Sequence, residues 1–208
     1  MPQAERSRKR RDEHTEATRQ ALLREARKLF ATRGFAGAGI EEIARRARVT
    51  TGALYHHFAH KRDLFQAVAC QVEQELMEQA AQAAARQQTP WAMLAAGIDV
   101  MLDACAAPGV HRIAFRDAPN VLGPAKWRAI EEKYAFGQLR ALLAALMERG
   151  EIAPGPVDLH ARVLLAVLSE VAETIAGADD PAAARAQASA LVGRVLGALR
   201  VGEPGANH

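Results

Sequence analysis

Hydrophobic positions recur at helical spacing along almost the whole chain. Leu22, Ala26, Leu29 and Phe30 fall at i, i+4, i+7 and i+8, which predicts a helix from about Thr15 that Gly34 is placed to stop. Ile40, Ile43, Ala44 and Ala47 share a face of a short second helix. After a break at Arg48-Val49, with Thr50 or Thr51 as cap, Leu54 and Phe58 lie one turn apart on a third. A fourth helix opens near Lys61, carries Leu64, Val68, Val72 and Leu76 on one face, and continues through residues 80–88. Thr89-Pro90 caps and opens a fifth, through Trp91, Leu94, Ile98, Met101 and Leu102, which Pro108-Gly109 ends. A short helix over about 110–117 is broken by Pro119 and Gly123-Pro124, and a long one follows over about 125–149. Two final helices, about 157–176 and 182–200, are separated by Gly177-Ala178-Asp179-Asp180-Pro181.

Neither a fixed repeat nor a surviving strand alternation accompanies this pattern, and the Ala-rich composition disfavours sheet. The expected fold is all-α, with about nine helices. A chain of 208 residues, half hydrophobic and a quarter charged, is a globular protein of one or two small domains. No apolar run reaches the length of a membrane span, the basic start lacks the apolar stretch of a secretory signal, and two cysteines do not organise a fold. A cytoplasmic location is expected.

Charge divides the chain. Residues 1–62 hold 15 Lys or Arg against 7 Asp or Glu, a balance of +8, whereas residues 63–208 hold 12 against 17, a balance of −5. The basic third asks for an anionic partner, and the acidic remainder argues against one that wraps the whole protein. The cluster Arg8-Lys9-Arg10-Arg11 repels itself, so residues 1–14 are expected as a flexible basic arm and residues 202–208 as a frayed tail.

A short helix, a tight turn and a second short helix form a helix-turn-helix, whose second helix enters the major groove. Here Gly34-Phe35, Ile43-Ala44, Ala47, Val49-Thr50, the run Gly52-Ala53-Leu54-Tyr55-His56-His57-Phe58, Lys61 and Leu64-Phe65 closely resemble the DNA-binding domain of the TetR family of transcriptional repressors. The resemblance covers roughly residues 15–65. It implies that the helix from Thr50 to His57 is the recognition helix. Thr50, Thr51, Gly52 and Ala53 lie at its first turn, where a hydroxyl reaches a base edge or phosphate and small residues allow close approach. Tyr55, His57 and Lys61 fall where the family holds phosphates, and His56 is a candidate for a further contact.

Three positions depart from the family's pattern. Ala38-Gly39 replaces the usual Ser or Thr cap, which removes a phosphate hydroxyl. Arg48 occupies the turn position usually held by Gly, so either it accepts a less comfortable backbone or the turn adjusts, and it is a candidate for a phosphate contact. Glu41 and Glu42 suit their helix dipole but repel phosphate, so no readout is expected from that helix. His56, His57 and His60 lack the further ligands of a zinc site, and no metal is expected.

For residues 66–201 the resemblance implies a helical domain that binds a small-molecule effector and forms a homodimer through its last two helices. Leu164, Leu165, Leu168, Val171, Ala172 and Ile175, then Leu191, Val192, Val195, Leu196 and Leu199, make a stripe wide enough for that, although a fully buried core helix would read the same way. Five of the ten aromatic residues lie between 91 and 136. Candidate pocket residues are Trp91, Met101, Cys105, Phe115, Arg116, Trp127, Tyr134 and Glu170, with Phe136, Arg112 and Asp117 also in view. The expected function is a ligand-responsive regulator, most simply a repressor, that binds a palindromic operator as a dimer. Catalysis is not expected, since Ser7, Ser169 and Ser189 lack a nucleophile setting and no phosphate-cradling glycine loop appears. The rival readings are a non-specific basic DNA-binding protein without effector and a redox sensor built on Cys70 or Cys105.

Overall fold

A computed structural model describes residues 3–201, and the described residues form nine helices with no strand. They are α1 (Gln3–Gly37), α2 (Ile40–Arg46), α3 (Thr51–His57), α4 (Lys61–Ala85) and α5 (Pro90–Ala106). Next come α6 (Pro108–Leu122), whose middle His111–Asp117 is π-helical, and α7, which joins Pro124–Glu131, a π-helical Glu132–Phe136 and Gly137–Glu148. The last two are α8 (Val157–Gly177) and α9 (Pro181–Ala198). Among the described residues an isolated antiparallel bridge pairs Ile152 with Arg200, where the end of α9 meets the α7–α8 connection.

The expected stops and starts come from identifiable caps. Gly34 adopts φ +71 and breaks α1 before its last turn. The Thr89 hydroxyl accepts from the Ala92 N–H at 3.2 Å ahead of Pro90, and Asp180 accepts from the N–H groups of Ala182 and Ala183 ahead of Pro181.

Two expectations fail in detail. The α1 backbone is helical from Gln3, although residues through 14 were expected to lack regular structure. Between Pro2 and Gly34 no helix breaker occurs, and Gln, Ala, Glu, Arg and Lys favour a helix enough to outweigh like-charge repulsion. The supposed break at Pro119 is also absent, and α6 continues to Leu122. The π-helical turn just before Pro119 widens the helix where the proline ring would meet a preceding carbonyl and where its missing N–H would leave one unpaired. The expected tail from residue 202 lies outside the described residues.

The core is continuous. Leu22, Leu29 and Phe30 of α1 pack with Ile43, Leu54, Leu64 and Phe65, and the same buried surface extends through Leu102, Ile113, Leu143 and Leu146 to Leu168 and Val192. Helix α4 is the shared wall: its first turns close the N-terminal head, and its later turns pack on α5. No single helix among the described residues is long and apolar enough to cross a membrane.

Candidate DNA-binding surface and effector cavity

The turn between α2 and α3 fixes the geometry of the head. Ala47 ends α2, the Arg48 N–H bonds to the Arg45 carbonyl at 3.1 Å, and the Val49 N–H reaches the Ala44 carbonyl at 3.0 Å. This paired closure needs a left-handed residue at Arg48, which is the one non-glycine residue at positive φ among those described, at +59°. Thr50 then caps α3, its hydroxyl accepting from the Ala53 N–H at 3.1 Å.

Beneath α3, Leu54 and Phe58 are buried, and Arg19 lies over the Phe58 ring at 5.4 Å. On the outer side Arg48, Thr50, Gly52, Tyr55 and His56 are exposed, with Thr51, Ala53 and His57 partly so. A Cβ at Gly52 would meet nothing nearer than the Thr50 hydroxyl at 3.9 Å, so the first turn of α3 is open to close approach. Desolvation, then the neighbouring His56 and Arg19, lowers the pKa of His57 and keeps that imidazole neutral further down in pH. Desolvation raises the Glu42 carboxyl, but hydrogen bonds from Arg46 and Arg33 outweigh it and hold the pKa below its ordinary value. Those two guanidinium groups neutralise a charge that would otherwise face phosphate.

Lys61 has a second engagement. Its ammonium lies 3.4 Å from the Ala36 carbonyl and 4.7 Å over the Phe35 ring, and desolvation lowers its pKa. Phe35 in turn packs on Phe30 and Phe65 at ring distances of 6.1 and 5.2 Å.

Helix α6 grips the end of α1. Arg112 donates to the Ala31 carbonyl at 3.3 Å and to that of Thr32, while an Asp117 carboxylate oxygen accepts from the Phe35 N–H at 2.6 Å. A Cβ on Gly34 would lie 3.1 Å from that same oxygen, so the left-handed glycine also makes room for the carboxylate. Arg62, in the first turn of α4, donates to the Leu122 carbonyl at the end of α6 at 2.7 Å. Both helices that frame the head are thus tied to α6. Arg112 and Asp117, considered above as pocket anchors, are engaged with α1.

Behind the head, an apolar cleft opens between α4, α5, α7 and α8. Met77, Ala80 and Ala84 form one wall and Met93, Gly97, Ile98 and Met101 a second; Leu139, Leu142, Leu165 and Leu168 face them, and Gln138 supplies the polar side chain of the lining. The cavity volume is about 60 Å³, so a guest has to displace part of the lining. A second, more polar groove runs between α6, α7 and α8, where Phe115 and Trp127 sit with Arg128, Glu131, Ser169 and Glu173. Of the candidate pocket residues, Met101 lines the apolar cleft, and Phe115 and Trp127 line the polar groove. Trp91 instead lies under the Arg200 guanidinium at 4.1 Å, the Tyr134 ring lies under Lys133 at 4.8 Å, and Arg116 and Glu170 are exposed. Cys105 is buried among apolar side chains, which pushes its thiol up to about 12, and burial raises Cys70 too. Neither thiol is primed as a nucleophile. The sequence reading missed Met77, Met93 and Gly97, whose signal was small residues opposed to flexible ones across neighbouring helices.

Glu73 of α4 is the one charged residue type found buried among the described residues, 4% exposed. Desolvation, assisted by the nearby Glu131 of α7, raises its pKa to about 7. No three His, Cys, Asp or Glu side chains among the described residues gather as metal ligands would.

Residues 91–199 match the family described as tetracyclin repressor-like, C-terminal domain, and residues 22–68 match bacterial regulatory proteins, tetR family. The Transposon Tn10 TetC protein of Escherichia coli is 28% identical over 141 residues, covering 67% of this chain and 71% of that protein. A crystal structure of a TetR-family transcriptional regulator from Pectobacterium atrosepticum superimposes with a TM-score of 0.79 at 30% identity, covering 90% of this chain and 96% of that one. The transcriptional regulator FadR from Bacillus subtilis, solved in complex with stearoyl-CoA, shares the fold with a TM-score of 0.69 at 19% identity, over 83% of this chain and 96% of that one. With both halves matched and the helix-turn-helix in place, the chain belongs to the TetR family of transcriptional regulators.

Proposed function

We propose that this regulator is a cytoplasmic repressor that binds a palindromic operator as a homodimer and leaves it when a small molecule enters the C-terminal domain. Residues 15–65 serve as the DNA-binding domain and 66–201 as the regulatory and dimerisation domain, α4 running through both. The observation that carries the reading is the tie between them: α6 holds α1 through Arg112 and Asp117 and α4 through Arg62, while the later turns of α4 form one wall of the apolar cleft. A molecule that widens the cleft displaces α4 against a head anchored on α6. That gives the two states a different head orientation, and the effector's preference for one of them shifts the population off the operator.

On DNA, Thr51, Gly52 and Ala53 meet base edges, with Thr50 holding the helix start. Tyr55, His56, His57 and Arg48 approach phosphate, and Lys61 contributes there at the cost of its contact with Ala36. Dimerisation uses the last two helices, where Leu159, Val163, Leu191 and Val195 are exposed apolar side chains, whereas Leu164, Leu168, Ala172, Ile175, Val192 and Leu196 of the expected stripe are buried in the core of the single chain. Two recognition helices then meet successive major grooves about 34–36 Å apart.

The test is titration of the purified protein on its own upstream DNA against random competitor at two salt concentrations. A complex that survives competitor supports the reading. Salt-sensitive binding without preference overturns it in favour of a non-specific DNA-binding protein. Lys61→Ala should weaken every duplex alike and flatten the salt slope, and Thr51→Ala should change the preference among sequences; equal losses on all duplexes from both would reject this division of roles.

A further inference from the structure

We infer that the effector is a small, uncharged, mainly apolar molecule with at most one polar group, and that it binds in the cleft between α4, α5, α7 and α8. The inference rests on the ligand-responsive reading above and narrows it to a chemical class. Three facts about the lining carry it.

First, the lining contains no Lys, Arg, His, Asp or Glu, so an ionised group carried inside would lose its water without gaining a partner. Gln138, itself an exposed residue, offers an amide NH2 donor and a carbonyl acceptor, enough to orient a hydroxyl or carbonyl. Second, Met77, Met93 and Met101 are three of the five methionines of the chain. Their unbranched, polarizable side chains re-pack around guests of different shape, where branched residues would fix one. Third, Ala80, Ala84 and Gly97 keep α4 and α5 close, with a Cβ on Gly97 falling 3.9 Å from that of Ala80. A guest therefore enters by moving methionines first and the α4 wall next. That wall leads to the head, so occupancy and head movement are the same event. The polar groove beside α6 has the opposite chemistry, with Arg128, Glu131 and Glu173 on its walls, and suits no uncharged guest better than water.

The experiment compares 1-naphthol with 1-naphthoate, two probes of one skeleton that differ in charge, by calorimetry and thermal melting of the full-length protein. Saturable binding of 1-naphthol, with 1-naphthoate at least tenfold weaker, is expected. Gly97→Leu, which fills the cleft and presses on α4 as a guest would, should abolish 1-naphthol binding and weaken the operator complex without any compound; should that variant not fold, Ala84→Leu intrudes on the same space. Gln138→Leu should weaken 1-naphthol and leave naphthalene unchanged. Equal or tighter binding of 1-naphthoate, no binding of either probe, or 1-naphthol binding that survives the filled cleft would overturn the inference. An anionic compound that nevertheless releases the operator would sink the chemical class and leave the ligand-responsive reading standing. Specific operator binding that no compound alters would sink the reading itself.

Discussion

Glu73→Gln isolates the most exposed consequence of how α4 is packed. In the folded chain the Glu73 carboxyl is 4% exposed and holds its proton up to about pH 7, whereas its ordinary value is 4.5. Below 4.5 both folded and unfolded chains carry the proton and Glu73 is neutral to stability. Between 4.5 and about 7 the unfolded chain releases it and the folded one does not, so stability falls as pH rises. Above about 7 the full cost of a buried carboxylate remains. The shift of roughly 2.5 units corresponds to about 3 kcal/mol in all, and to about 2.5 kcal/mol between about pH 5 and about pH 8. Glutamine reproduces the neutral form at nearly the same volume. Urea unfolding of the two proteins at one fixed protomer concentration, across that range, should therefore give midpoints close together near pH 5, the Gln variant slightly ahead, and a gap that widens to a clearly more stable Gln variant near pH 8. Parallel curves, or a Gln variant weaker at high pH, would show that the carboxylate finds compensation when ionised and would refute the reasoning.

Three further outcomes follow from the head and its ties. Arg48→Gly should stabilise the protein by about 1 kcal/mol in thermal melting, because it relieves a left-handed side chain, and if Arg48 holds phosphate the same variant should show a shallower salt dependence on DNA. Asp117→Ala removes the acceptor of the Phe35 N–H and should cost about 1–2 kcal/mol. The more telling result is DNA affinity that no longer responds to occupancy of the cleft; retention of the full response would show that the α6–α1 tie is only structural. Val163→Glu places a charge in the proposed dimer face and should convert dimers to monomers in sedimentation, with operator binding lost as a result and no change in the fold by circular dichroism.

Local chemistry made much of this legible from the residues. The 3.6-residue spacing, the threonine and aspartate caps and the glycine stops place most helix ends, because each depends on neighbours only a turn away. At Arg48 the sequence leaves either the residue or the turn to yield, and the φ of +59° shows that the residue does. What stayed hidden depends on partners distant in sequence. Arg112 and Asp117 look like pocket anchors until α6 is seen against α1, some eighty residues away, where their hydrogen bonds are made. Lys61 reads as a phosphate ligand by position, yet its ammonium also closes the corner with Phe35 and Ala36. The apolar cleft is not legible in sequence because its α4 and α5 walls are built largely from alanine, glycine and methionine, which there look like ordinary helix filler. The helix starts at Gln3 because propensity over a stretch without a breaker outweighs the repulsion that the like charges suggest in sequence.

The most direct measurement is a footprint of the full-length protein on its own upstream DNA in excess competitor, combined with the mass of the complex. The account predicts two symmetric protected half-sites on one face of the duplex, spaced by whole helical turns, with an even number of chains bound. A single unpaired half-site, or protection spread evenly without regard to sequence, would contradict it.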